Sequence, residues 1–346
     1  MLTIKSPLRV NFLGGGSDFP EVFRAQGGSV FGASINLSVY LAASLIPPFA
    51  NERFRFTYRR TESVQSAEEF QHPVVRKIFM ENKSLPPLNL ATMSDVPGNS
   101  GLGSSSSFTV GLIKLISTLN GREMSPMSMA KDAIRIERVE LGEAGGWQDQ
   151  FHAAHGGLSL YNFLRNDDVK TQIVPEENAV VELMNKSMLL IPFGKGRESS
   201  DLSHKFKDGL INQSNLKLIK ENCELAQSIA KLFISSPLAP YKKLEILGDA
   251  MRRAWEIKLL TSPEAKLYEA DLIISHALRN GALAGKLCGA GQSGFLFFLH
   301  HPLRRKQIID ALGAEIMFSP TIAYGGTELH NDFGGPEISS NTWFNC

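Results

Sequence analysis

The chain is 346 residues long and 43% hydrophobic, enough to bury a large core and long for one compact domain, so two domains are expected. Its 36 basic and 35 acidic side chains leave a net charge of +1, which gives no electrostatic footprint for nucleic acid and points to a small-molecule partner. Cys223, Cys288 and Cys346 are widely spaced without metal-ligand spacing, and the most apolar stretch, Val39 to Ala50, is broken by Pro47-Pro48. A disulfide scaffold, a zinc site and a membrane span are therefore not expected, and with no basic-then-apolar leader at the N-terminus the expected location is cytoplasmic.

Alternation and β-branched residues predict a strand from Leu2 to Leu13, ending in the turn cluster Gly14-Gly15-Gly16-Ser17-Asp18. Gly28 to Ile46 reads as one or two strands, Phe54 to Tyr58 as another, His72 to Met80 as a helix entered through Pro73, and Leu88 to Met93 as a strand. From Asp95 the chain runs Asp-Val-Pro-Gly-Asn-Ser-Gly-Leu-Gly-Ser-Ser-Ser-Ser into the apolar helical pattern of Phe108 to Leu119. The glycines permit tight turns and the serines offer hydroxyls and N-cap chemistry, so this is a glycine-rich loop feeding a helix N-terminus. Such an end presents unpaired N–H groups and a partial positive charge, which suits a nucleotide polyphosphate. A flexible linker would be flanked by polar sequence; this loop lies between two apolar elements. It also lacks the Gly-Lys-Ser/Thr of a P-loop and the Gly-x-Gly-x-x-Gly of a dinucleotide fingerprint.

Ser125 to Leu141 is predicted helical, with Glu137 among its charged positions, and a second loop follows from Gly142 to Phe151. Leu158 to Phe163 reads as a strand, as does Val180 to Pro192, with helix possible at its start. The domain boundary is placed there, giving 1–185 and 186–346. Long helical patterns at Leu216 to Leu232, Leu244 to Leu260 and Ala265 to Arg279 precede a short buried strand at Phe295 to Leu299. A helix at Leu303 to Leu312 and a strand at Glu315 to Ser319 complete an α+β second half, helices against an antiparallel sheet. Arg9 inside an apolar strand is costly unless it meets an anion, and Asp18 follows glycines where backbone can approach a ligand. A salt-bridged arginine and a turn aspartate are the plain alternative. His152 and His155 have i, i+3 spacing but no acidic partner pattern, and read as structural.

Pro97-x-x-x-Gly101-Leu102-Gly103-Ser104-Ser105-Ser106-Ser107 resembles the phosphate-binding motif of the GHMP kinases, the superfamily of galactokinase, homoserine kinase and mevalonate kinase. Pro7 to Asp18 resembles the family's first motif, and Lys286-Leu287-Cys288-Gly289-Ala290-Gly291-Gln292-Ser293-Gly294 its third, with Gln292 and Ser293 in place of glycines often found there. The resemblance implies a two-domain α+β fold, a β-rich α/β N-terminal domain and a ferredoxin-like C-terminal domain, and implies ATP and Mg2+. It assigns Pro97, Gly98, Gly101, Leu102, Gly103, Ser104, Ser105 and Ser106 to the phosphates, and Ser105 and Glu137 to magnesium, with Glu140 and Glu143 as alternatives to Glu137. It makes Asp149 the catalytic carboxylate, with Arg9 stabilising charge, and places Asp18, Gly15, Gly16, Gly289 and Gly291 near the substrate.

Gly15-Gly16-Ser17-Asp18-Phe19-Pro20, Gly194-Lys195-Gly196-Arg197 and Trp255-Glu256-Ile257-Lys258 are similar to the bacterial heptose kinases within this family. That similarity implies transfer to the anomeric hydroxyl of a sugar phosphate, D-glycero-D-manno-heptose 7-phosphate, with Lys195 and Arg197 on the phosphate it already carries. An L-fucokinase-like or galactokinase-like enzyme for an unphosphorylated sugar and a catalytically silent sugar- and ATP-binding regulator stay open. So does a homodimer.

Overall fold

The computed structural model describes the chain except for residues 48, 99, 195–212, 290–293 and 331–346 and the side chain of Glu264. Two sheets carry it. The larger has eight strands. Its centre is the antiparallel pair of β1 (Leu2–Leu13) and β2 (Gly28–Leu45). Beyond β2 lie β5 (Leu88–Ser94), β3 (Phe54–Thr57) and β4 (Thr61–Val64), of which β3 and β5 run parallel. The other end of β2 pairs with β6 (Leu158–Phe163), and β6 with β7 (Val169–Val174). One 18-residue strand thus serves two partners on the same side, β6 near its start and β5 near its end.

Helix α1 (Pro20–Gln26) follows the glycine turn, and α2 (Pro73–Glu81) enters through its proline as expected. Helix α3 (Ser104–Leu119) lies on β1 and β2 with nearly every side chain from Ser106 to Ser117 buried. At Gly111 a Cβ would stand 2.6 Å from Leu41 Cδ1, so glycine brings helix and sheet into contact. The predicted helix from Ser125 to Leu141 divides: α4 (Pro126–Ile134) gives way to a π turn over Arg135–Glu140, with Leu141 N–H bonded to Ile136 O at 3.0 Å. The predicted loop from Gly142 to Phe151 is also shorter than expected. Helix α5 (Gln148–His155) starts inside it.

The Val180 to Pro192 segment resolves into α6 (Ala179–Asn185) and β8 (Met188–Phe193). β8 joins β10 (Gly294–His300) and β9 (Ala282–Leu287) in an antiparallel three-stranded sheet, order β8-β10-β9. Alternate residues of β10 serve two cores: Phe295, Phe297 and Leu299 join the large core, while Leu296 and Phe298 pack with α9 (Tyr268–Arg279) and α10 (Arg305–Leu312). Helices α7 (Gln213–Ser235) and α8 (Pro240–Thr261) pack on each other and on the large core. The strand expected at Glu315 to Ser319 does not form; Phe318 makes one bridge to Leu190, and Pro320 cannot continue a ladder. The chain then returns to the first sheet, where β11 (Glu328–Leu329) pairs with β1. Among the described residues no helix is long and apolar enough to cross a membrane.

Candidate active site

The glycine-serine loop turns on left-handed residues Gly101 (φ 74°) and Gly103 (φ 80°). Gly103, rather than a serine, holds the N-cap position of α3, because only glycine adopts that conformation without strain. The first helical bond runs from Ser107 N–H to Gly103 O at 3.0 Å, so the N–H groups of Ser104, Ser105 and Ser106 precede the ladder and face out of the helix end. Pro97 and Gly98 are exposed at the start of the loop, and Leu102 is buried beneath it. The third motif backs the loop: a Cβ on Gly289 would lie 2.6 Å from Gly101 Cα, and one on Gly294 would lie 2.3 Å from Ser100 O. Lys258 of α8 donates to Gly289 O and so fixes that turn from the other side.

Arg9 lies under the same loop. Its Nε donates to Asp149 Oδ1 at 2.7 Å, its Nη2 to Asp149 Oδ2 at 2.8 Å, and its Nη1 to Gly101 O at 2.6 Å. Its backbone N–H donates to Leu102 O at 2.9 Å. Burial works against the guanidinium charge, but Asp149, joined by Cys288 and Asp18, outweighs burial and holds Arg9 above its ordinary value. Asp149, in the first turn of α5, keeps 21% of its side chain exposed. A carboxylate is thus pinned by a two-pronged pair at the mouth of the phosphate loop, with lone pairs still open to the exterior.

The π turn carries Glu137 inward. Its carboxylate is 1% exposed, and Oε2 accepts from Ser106 Oγ at 2.9 Å and from Gln150 Nε2. Gln150 Nε2 also donates to Ser106 Oγ at 3.1 Å. Glu137 Oε1 and Gln150 Oε1 are buried with no hydrogen-bond partner among the described residues. A buried oxygen without a partner costs about 1–3 kcal/mol, and hard oxygens from a carboxylate, an amide and a hydroxyl are the donors magnesium takes. These residues fit the cation. The hydroxyl facing Glu137 belongs to Ser106; Ser105 is exposed on the next position of the helix. Glu140 is committed to Arg135 and Lys77, and Glu143 pairs with Arg138 at 3.6 Å.

On the other side of Asp149, Asp18 is fully buried. Its Oδ1 accepts from Gly16 N–H at 3.2 Å, its Oδ2 from Gln148 N–H at 3.1 Å, and its carbonyl from Trp147 N–H at 3.1 Å. Burial pushes the Asp18 carboxyl up, and the nearby Asp149 charge adds to that. Gly146 makes the approach possible: a Cβ there would stand 1.9 Å from Asp18 Oδ2. Gly15 and Gly16 form the turn above, with Asn11 Oδ1 3.4 Å from where a Cβ of Gly15 would stand.

The structure therefore brings Arg9, Asp18, Gly15, Gly16, Gly101 to Ser106, Glu137, Asp149 and Gly289 around one mouth. Lys195, Arg197 and Gly291 lie outside the described residues. Sequence reasoning did not single out Asn11, Gln148 or Gln150, nor Lys286 within the third motif. Gln148 and Gln150 flank Asp149 at i−1 and i+1, and their amides bond Asn11 on one side and Glu137 with Ser106 on the other. The histidines remain structural in this arrangement. His152 is fully buried behind Arg9 with its ring edge on Tyr161, and burial pushes it down to about 3.

Residues 70–157 match the family described as GHMP kinases N terminal domain, and residues 229–316 match GHMP kinases C terminal, together about half of the chain. The chain belongs to the GHMP kinases. Among its relatives is the D-glycero-alpha-D-manno-heptose 7-phosphate kinase of Campylobacter jejuni, 29% identical over 329 residues, covering 91% of this chain and 94% of that one. A bifunctional fucokinase/GDP-fucose pyrophosphorylase of Arabidopsis thaliana is 23% identical over 86% of this chain and 29% of its own length. The crystal structure of a D-glycero-D-manno-heptose 1-phosphate kinase from Bacteroides thetaiotaomicron superposes with a TM-score of 0.76 at 22% identity, over 95% of this chain and 99% of that one. The chain shares the fold of that kinase over nearly its whole length.

Proposed function

We propose that this GHMP kinase moves the γ-phosphoryl group of ATP to the anomeric hydroxyl of D-glycero-D-manno-heptose 7-phosphate. The observation that carries the reading is the Arg9–Asp149 pair, tied to the phosphate loop through Gly101 O at 2.6 Å. It sets a carboxylate beside the N–H groups on which a polyphosphate would rest. The heptose kinase similarity of relatives covering nearly the whole chain supports the choice of sugar.

In the reaction the hydroxyl oxygen bonds to the γ-phosphorus as the bond from phosphorus to the β–γ bridging oxygen breaks, and ADP departs. Asp149 orients the hydroxyl and takes its proton, which then passes to solvent. Arg9 offsets the negative charge gathered at the mouth, and the N–H groups of Ser104 to Ser106 hold phosphate oxygens. The glycine turn at Gly15-Gly16, held from beneath by the buried Asp18, receives the sugar's other hydroxyls. Glu137 and Ser106, oriented by Gln150, would hold magnesium, which supplies charge neutralisation to the phosphates when bound. With the nucleotide on α3 and the sugar on the first turn of α5, the two reactants meet at one point, which is where most of the rate gain of a phosphoryl transfer enzyme arises.

An ADP-release assay over heptose 7-phosphate, free heptose, galactose and L-fucose tests this. Heptose 7-phosphate should be used best. Faster turnover of L-fucose would replace the reading with a fucokinase-like one, and sugar and ATP binding without ADP release would replace it with a regulator.

A further inference from the structure

A line of hydrogen bonds with a fixed direction runs from the small sheet to the buried carboxylate of the glycine turn. Lys286 Nζ on β9 donates to Asn11 O at 3.0 Å and to Asn11 Oδ1 at 3.2 Å. Asn11 Nδ2 on β1 donates to Gln148 Oε1 at 2.9 Å and to Leu13 O at 3.1 Å. Gln148 in turn bonds the Asp18 carboxylate through its backbone N–H at 3.1 Å. An ammonium has only N–H donors, so Asn11 can turn only its oxygen to Lys286, and its Nδ2, held also by Leu13 O, requires Gln148 to face it with Oε1. Each amide can therefore face only one way. Reverse either amide and two donors or two acceptors meet.

We propose that Lys286 is a positioning residue for the acceptor sugar: through Asn11 it fixes the orientation in which the Gln148 amide meets the sugar's hydroxyls. This rests on the reading that the glycine turn and the first turn of α5 face the sugar. The residue comes from the C-terminal sheet and the groups it orders come from β1 and α5, so the sugar loop is set by the second domain as well as the first. Two groups bear on the ammonium besides Asn11. Burial and the Arg9 guanidinium of β1 favour the neutral amine and Cys288, just past the end of β9, opposes them, leaving Lys286 pushed down to about 8. Lys258 of α8 acts on Cys288 and donates to Gly289 O, away from the relay. A neutral Lys286 can accept as well as donate, and the order of the relay is then no longer dictated from that end.

The test uses the full chain with Lys286→Met, Lys286→Arg and Asn11→Asp, assayed with D-glycero-D-manno-heptose 7-phosphate and ATP. Lys286→Met should raise KM for the sugar about tenfold, the effect of one misdirected buried hydrogen bond, and leave KM for ATP within about twofold. Lys286→Arg keeps a donor-only cation and should recover most of the loss. Asn11→Asp keeps Lys286 paired but offers Gln148 an acceptor where it needs a donor, so it should raise KM for the sugar by a similar factor. Amide hydrogen exchange gives a readout independent of turnover: the Gly16 and Gln148 N–H groups should exchange faster in Lys286→Met and Asn11→Asp, while Ser107 N–H should not change. Unchanged exchange at Gly16 and Gln148 in both variants overturns the relay, as does a KM rise shared by ATP. A wild-type protein inactive on heptose 7-phosphate overturns only the substrate reading, since amide exchange still decides the relay.

Discussion

Asp149→Asn replaces one acceptor oxygen by a donor opposite the two N–H groups that Arg9 presents at 2.7 and 2.8 Å. Only one can be met by the remaining oxygen, and the other faces an amide N–H. Arg9 is 8% exposed, and removing the partner of a fully buried charge costs about 3–5 kcal/mol. Here the carboxylate side is 21% exposed to screening solvent, and Gly101 O at 2.6 Å still accepts from Nη1, so about 1–3 kcal/mol of folding stability should be lost. The chemistry should suffer more: an amide cannot take a proton, and kcat should fall about 10²-fold or further. ATP affinity should hardly move, because the N–H groups of Ser104 to Ser106 are untouched. ADP release at saturating substrates, calorimetric ATP titration and urea denaturation measure the three effects separately. Combining the change with Arg9→Met should give strong non-additivity in stability, as expected of two side chains in direct contact. Turnover within about twofold of wild type would refute the role of Asp149.

Glu137→Gln should raise the magnesium concentration needed for half-maximal activity and weaken manganese binding to the enzyme–nucleotide complex by spin resonance, because it removes the buried carboxylate beside Ser106 and Gln150. An unchanged titration in both would shift the role to Glu143. His152, pushed down to about 3 by burial, stays neutral in the fold while the unfolded chain's imidazole protonates below about 6.5, so its contribution is lost as pH falls from about 6.5 towards 3. At pH 4.5 wild type should have lost about 3 kcal/mol more than His152→Leu relative to pH 7, read from urea midpoints; parallel losses would show that His152 charges freely in the fold. Arg197→Ala should raise KM for heptose 7-phosphate more than it lowers kcat, since arginine can hold a phosphate through two parallel hydrogen bonds; no change with this substrate would place its phosphate elsewhere.

The long strands β1 and β2 and the buried helix α3 were legible because periodicity and length act together over many residues. The surroundings of Glu137 were less so. A helix from Ser125 to Leu141 places Glu137 one way round, while the π turn at Arg135–Glu140 inserts a residue and rotates it inward to Ser106. Side-chain periodicity does not reveal that insertion. Likewise a serine run does not announce which hydroxyl faces a carboxylate. That follows from Gly103 taking the N-cap, which begins the helix one turn before the apolar pattern and turns Ser106 inward and Ser105 outward. The short strands β4, β7, β9 and β11 were missed because their hydrogen bonds come from neighbours distant in sequence.

The two aspartates of the mouth show why residue type alone could not divide their roles. Arg9 meets both oxygens of Asp149, and that side chain remains partly exposed, where a hydroxyl and a phosphate can both approach it. Asp18 takes its bonds from the backbone N–H groups of Gly16 and Gln148, is sealed beneath Gly146, and is pushed up by burial and by the Asp149 charge. A carboxyl so placed is a poor route for moving a proton to solvent and a fixed support that ties the glycine turn to the first turn of α5. Two carboxylates with environments this different suit one for proton transfer and the other for holding the turn in place. The Gln148 amide beside that turn needs an orientation that does not drift, and the Lys286 ammonium at the far end of the Asn11–Gln148 line supplies it from the small sheet.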